Sequence, residues 1–428
     1  MKTKWTLAFT FVGALAAAGA VALAGTSHKS GLVVHEWGTF TSVQGADGVP
    51  LNWKPLATSE LPDFVYSWTH PGLQRINFSL LGGKGGMTSL QRMETPVIYF
   101  YSDKPLTADV SVAFPRGLIT EWFPQAPQIG PSVCGAAAKT LTNSFIHWPD
   151  IHVLAADVHE TASLPTDTNG THYFAARETD ANVLRLDSFS TNQPGSQSEK
   201  FLFYRGVGNF PTPLRVTMKS DDAVTICNTG SVPLKHLFVL DVKDKSGGFI
   251  YVPELLPGEE KAVSRVSPDK FLAPPNLATA LSKSMSQALV KEGLYSREAA
   301  AMVNTWKSSW FTEDGTRVLY VLPRAWTDRT LPMTLNPSPR ELTRVMVGRA
   351  EIMTPVLERN LAQQLDRARG GDPAAVAQLR QTAKSLGRFS EPAFYRSMTA
   401  AKRPAQEQNK LAELFFDWKH VNAGQDFE

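Results

Sequence analysis

The chain has 428 residues, 43% of them hydrophobic and 19% charged, and 43 basic against 40 acidic side chains leave a formal net charge of +3. That length exceeds what one compact domain usually holds, so two or three units with their own cores are expected, and the composition excludes a disordered chain. The Lys and Arg residues form no stripe of the kind that neutralises a phosphate backbone, which argues against nucleic acid as a partner.

Residues 1–24 read as a cleaved signal peptide. Lys2 and Lys4 precede an uncharged run from Thr6 to Val21, and Ala22-Leu23-Ala24 supplies the small-x-small pattern that signal peptidase reads. An uncleaved anchor is the alternative, but the Ala- and Gly-rich run is only weakly hydrophobic. No later segment reaches about 18 unbroken apolar residues, so the mature chain is expected to have no membrane span and to be exported, periplasmic or extracellular. In that compartment Cys134 and Cys227 are most simply read as one disulfide, worth on the order of 4 kcal/mol in chain entropy. A metal pair or a catalytic thiol is disfavoured: there is no CxxC, and VTIC reads as a strand that packs the Cys227 sulfur.

From Gly31 to about Val266 short β-branched and aromatic runs alternate with turn residues, among them LVVHEWGTFTSV, TPVIYFYS, EKFLFYRGVGNF, DAVTICNT and LKHLFVLDV. Gly45-Ala46-Asp47-Gly48 signals a hairpin. The expected fold is mainly β with an α+β C-terminal part: antiparallel β-sandwich units over 25–199 and 200–267, a mixed α/β region over 268–351 and a helical region over 352–428. Leu277, Leu281, Met285 and Leu289 recur at helical spacing, SREAAAMVNTWKSSW predicts a second helix, and strands return at TRVLYVLP, LPMTL and LTRVMVGRAEI. In the tail, Gly370-Gly371 stops one helix, and Asp372 caps the next with Pro373 at its first position.

Familiar catalytic signatures fail. The Gly-rich stretch at residues 80–89 lacks the Gly-Lys-Ser/Thr ending of a phosphate loop, and Gly130-Pro131-Ser132-Val133-Cys134 is no nucleophile elbow. His147, Asp150, His152, His159 and His172 lie close in sequence and are suitable ligand types for a transition metal. The intervening Trp148-Pro149 turn spoils the usual spacing, however, so turn histidines are the plainer reading and no cofactor is predicted.

Charge inside apolar runs is the other constellation: Glu36 beside His35, Arg92 with Glu94, Glu121, Arg177 with Glu178 and Asp180, Arg205, and Arg349 with Glu351. Charged groups seldom bury unpaired, so these are expected to meet one another or to face a cleft. In the first case Glu36 pairs with an arginine such as Arg92 or Arg177. In the second, His35, Trp37, Arg92, Arg177, Asp180 and Arg205 line a binding site, Glu36 with Glu94 or Glu178 serves as acid and base, and Trp37, Trp53, Trp68 and Trp122 stack on sugars.

HEWGTFTS, RMETPVIYFYS, LITEWFP, HYFAARETD and EKFLFYRGVG together resemble a family of predicted exported bacterial proteins with no assigned activity, over a span from Gly31 to about Glu351. The resemblance implies that the polar positions within the strands belong to one architecture, a shared site or a shared ion-pair core. The expected function is that of an exported envelope or extracellular binding or structural protein of unknown ligand, with a glycan or an envelope protein as the candidates. The alternative is a periplasmic or secreted hydrolase acting on glycan or another polymer through paired carboxylates or a His-bound metal. A scaffold role would instead expose the stripe of Leu411, Leu414, Phe415 and Trp418.

Overall fold

The structure, a computed structural model, describes residues 31–56, 61–68, 87–131, 142–155, 164–168, 171–187 and 195–400, with 402, 404, 406 and 407 beyond them. The signal segment, Cys134, His159, most of the Gly-rich stretch and the Leu411–Trp418 stripe lie outside the described residues.

The strands in chain order are β1 (Val33–Gln44), β2 (Tyr66–Ser67), β3 (Gln91–Tyr101), β4 (Leu106–Phe114), β5 (Gly117–Phe123), β6 (Gln128–Gly130), β7 (Ser144–Val153), β8 (Leu184–Asp187), β9 (Ser196–Glu199), β10 (Leu202–Gly208), β11 (Leu214–Thr217), β12 (Ala223–Asn228), β13 (Leu234–Lys243), β14 (Ser246–Leu255), β15 (Glu260–Ser264), β16 (Gly315–Leu322), β17 (Met333–Asn336) and β18 (Glu341–Ile352). The helices are α1 (Thr171–Ala175), α2 (Pro274–Lys291), α3 (Ser296–Thr312), α4 (Arg324–Thr330), α5 (Pro355–Arg369), α6 (Pro373–Leu386) and α7 (Ser390–Ala400). The chain is mainly β with a helical C-terminal part, as its patterning predicts.

A nine-stranded sheet runs β14-β13-β16-β18-β1-β3-β10-β5-β2. Among the described strands every pairing is antiparallel except β1 with β18, which is parallel. Strands from all three expected segments, 25–199, 200–267 and 268–351, enter this one sheet. The run read as a sandwich unit over 200–267 is divided: β10, β13 and β14 join the large sheet, while β11, β12 and β15 form a small sheet of their own. Turn signals mark where strands end but not which strand each one pairs with.

Coverage on both faces explains why β1 and β3 read as continuous runs. All twelve residues of β1 are buried, whereas β4, in the second sheet, alternates buried and half-buried positions. That second sheet, β17-β4-β7-β8-β9 with β6 beside β7, packs on one face, where the Trp148 and Tyr204 rings stand 6.4 Å apart. Helices α1 and α3 lie on the other. Helices α5 to α7 form a second apolar cluster around Leu361, Leu365, Leu379, Phe389 and Phe394, which closes on Val43, Trp53 and Met353 at the end of β1. Asp372 caps α6 as expected, accepting from the N–H groups of Ala374 and Ala375.

Candidate functional site

The pleat of β1 separates the neighbours of its HEW triplet, because successive side chains point to opposite faces. Glu36 faces the second sheet. Its Oε2 accepts from Arg344 Nε at 2.6 Å, its Oε1 accepts from the Tyr204 hydroxyl at 2.5 Å, and Arg344 also donates to Asp328 at 2.9 Å. The expected partners Arg92 and Arg177 are therefore replaced by Arg344, which stands directly opposite Glu36 in the parallel β1–β18 register. Sequence offers no signal for a pairing across 308 positions.

His35 and Trp37 face α3. His35 Nδ1 lies 2.7 Å from Glu298 Oε2, Glu298 Oε1 accepts from the Tyr101 hydroxyl at 2.6 Å, and the Tyr295 ring packs 4.5 Å from the imidazole. Trp37, Trp53, Trp68 and Trp122 are all buried, so they wall no open cleft for stacking on sugar. Trp53 instead packs against Phe389, with the Arg388 guanidinium over its ring.

Further along the same face a bulge crosses the sheet. Gly38 alone stands opposite Thr95 and Pro96, which form an extra step in β3, and β10 shifts register against both β3 and β5 between Phe203 and Gly206. Thr95 adopts φ +44°, an outlier for a β-branched residue, and its side chain is directed by the bulge. HEWGT, METPV, LITEW and FYRGVG thus occupy adjacent strands, where Thr39, Glu94, Glu121 and Arg205 share one face and Glu36 takes the other.

Beside the bulge is a recess of about 70 Å³ lined by Arg92, Glu94 and Thr95 of β3, Arg205 of β10, His172 of α1, Trp306 and Ser309 of α3, Glu313, and Arg388 from the turn before α7. Ion pairs fill its walls. Arg388 Nη1 donates to both oxygens of Glu94 at 3.1 and 3.2 Å, Arg205 donates to Glu121 at 2.7 Å, and Arg349 donates to Glu351 at 2.6 Å and Glu313 at 2.5 Å. Arg317 completes the network, 2.8 Å from Glu351. Burial alone would push the Glu94 carboxyl up, but Arg388 and Arg92 hold it down to about 2; Glu313, under Arg349 and Arg388, is likewise held at about 2. Both are ionised at neutral pH.

The structure therefore brings Arg92, Glu94, Arg205 and His172 to one place and leaves the other candidates elsewhere. Glu36 is on the opposite face of the sheet from Glu94. Glu178 is exposed and accepts from Asn304, Asp180 pairs with Arg297, and Arg177 donates to the buried Glu199 at 2.7 Å. Arg388, Trp306 and Ser309 are lining residues that no pattern in the sequence marked. Arg388 reaches the recess only because the tail folds back onto β1 and Trp53.

Among the described residues no group of three or more His, Cys, Asp or Glu could hold a metal ion. His147 and His152 lie on β7 and contact Gln128 and Thr107, Asp150 sits between them at φ +52°, and His172 packs on the far side of the molecule 5.8 Å from Trp306. The cluster is close in sequence but is dispersed by the strand and by α1. Cys227 is buried on β12 with Arg215 Nη2 3.8 Å from its sulfur; its expected partner, Cys134, is outside the described residues. No helix of the described residues is long and apolar enough to cross a membrane.

No protein-family model and no protein of curated function matches the chain. Solved structures similar to it include the Fcho1 Mu homology domain of Danio rerio with a bound Eps15 peptide, at 8% identity and a TM-score of 0.28, covering 76% of this chain and 98% of that one. The yeast delta-COP-I mu-homology domain complexed with a Dsl1 WxWxV peptide is similar at 8% identity and a TM-score of 0.25, covering 75% and 96%. At such scores the likeness carries no argument about fold or function.

Proposed function

We propose that this protein is an exported envelope or extracellular binding protein that holds its ligand at the Arg92–Arg388 recess, with residues 1–24 removed and Cys134 bonded to Cys227. The observation that supports binding over hydrolysis is the state of the carboxylates. Glu94 and Glu313, the two at the recess, are each engaged by guanidinium groups and ionised, so neither carries a proton to give to a leaving group at neutral pH. Of the other two candidates, Glu36 is bound to Arg344 and Tyr204 on the other face, and Glu178 is exposed and accepts from Asn304.

The test is a hydrolysis assay of the purified mature protein on a panel of envelope and extracellular glycans, beside Glu94→Gln. Binding without turnover, measured by calorimetry on the same panel, is the expected result. Turnover that Glu94→Gln abolishes would replace this reading with the hydrolase.

A further inference from the structure

Buried polar atoms of the residues that line the recess are left unsatisfied. The indole N–H of Trp306 and the Nε–H of Arg388 are buried and have no hydrogen-bond partner among the described residues, and Thr95 Oγ1, held there by the bulge, is in the same condition. Indole and guanidinium nitrogens only donate, so what satisfies them must accept. The guanidiniums of Arg92 and Arg205 add positive charge to the same walls.

Size and charge narrow the acceptor. A volume of about 70 Å³ is roughly half the ~150 Å³ of an engineered cavity that takes benzene, which leaves room for three or four heavy atoms: a substituent of a glycan, with its ring outside. Glu94 and Glu313 flank the space, and although each is engaged by arginine they disfavour a doubly charged occupant such as phosphate. A carboxylate is singly charged and planar, and it presents two acceptor oxygens, a match for an N–H from Trp306 and one from Arg388.

We propose that the recess binds a carboxylate group, that of a small organic acid or one carried by a larger ligand whose remainder stays outside. This rests on the binding reading above and adds the chemical class of the ligand. Arg388 then has two tasks, pairing with Glu94 through Nη1 and meeting the ligand through Nε.

The experiment is calorimetry of the full mature protein at constant ionic strength with acetate, with phosphate, and with an oligogalacturonate as a polymer-borne carboxylate. Trp306→Phe, which keeps a ring and removes the N–H, is measured in parallel, and circular dichroism confirms that it is folded. Saturable binding of acetate or oligogalacturonate, weakened at least fivefold in Trp306→Phe and absent for phosphate, is expected; binding of the polymer alone assigns the carried form of the group. Failure of both carboxylates to bind, or equal binding by Trp306→Phe, overturns the proposal. A neutral glycan that binds where both carboxylates fail would sink the carboxylate assignment and keep the binding protein, whereas turnover in the glycan assay would sink the binding protein itself.

Discussion

Gly38 lies against Pro96 so closely that a Cβ on the glycine would stand 2.9 Å from the proline Cα. Two strands away the same bulge leaves still less room, since a Cβ on Gly206 would be 2.2 Å from the Leu118 carbonyl oxygen. Both glycines are needed for the bulge that directs Thr95 into the recess. Overpacking of this kind costs about 1–3 kcal/mol and more where backbone is struck. Gly206→Ala is therefore expected to destabilise more than Gly38→Ala, by chemical denaturation. The opposite order would mean that the bulge relaxes on the β10 side.

Glu36 and Arg344 form a buried pair with Tyr204 as a third member. Removing one charge strands the other, which costs about 3–5 kcal/mol. Glu36→Gln should therefore lower stability by that order, and the double replacement Glu36→Leu with Arg344→Met should recover much of it. A loss below 0.5 kcal/mol, a magnitude typical of surface positions, would show that Arg344 finds compensation elsewhere, for instance at Asp328.

Acid should unfold the protein partly through Glu94. Its folded pKa, about 2, is depressed below the ordinary value of 4.5, so the stability it contributes is fully present above 4.5 and is lost as the pH falls through 2. With about 1.4 kcal/mol per unit, that amounts to about 3.5 kcal/mol. In Glu94→Gln the slope of stability against pH between 4.5 and 2 should flatten by roughly one proton, as read from urea titrations across that range. An unchanged slope would remove Glu94 from the acid response.

Arg388 ties the helical tail to the sheet through Glu94, and its guanidinium also covers the rings of Trp53 and Phe389. Arg388→Ala should speed amide hydrogen exchange across α6 and α7 by tenfold or more while leaving β1 and β3 protected. Uniform acceleration over the whole chain would show instead that tail and sheet open as one unit.

The architecture was legible where its cause is local. Asp372-Pro373 after Gly370-Gly371 marks a helix start by capping chemistry alone, and Gly45 to Gly48 turns the chain, with Gly48 at φ +76°. The charges within strands correctly announce a buried ion-pair network, because desolvation forbids leaving them single. Their partners were not legible. Arg344, Glu298 and Arg388 come from a parallel strand, a helix and a folded-back tail, and no periodicity links such positions to β1 or β3. The described histidines are the complementary case: His147, His152 and His172 are neighbours in sequence, but β7 and α1 place them apart, and the metal chemistry of imidazole says nothing about where the backbone points it.

The parallel pairing of β1 with β18 also governs when the protein can fold. The middle of the large sheet has to wait for residue 352, because β1 has a partner on that side only after almost the whole chain is available. Contacts of such sequence separation fold slowly. Until they close, a nascent chain leaves the β18-facing edge of β1 unpaired, a condition prone to aggregation and one that a chaperone would have to shield.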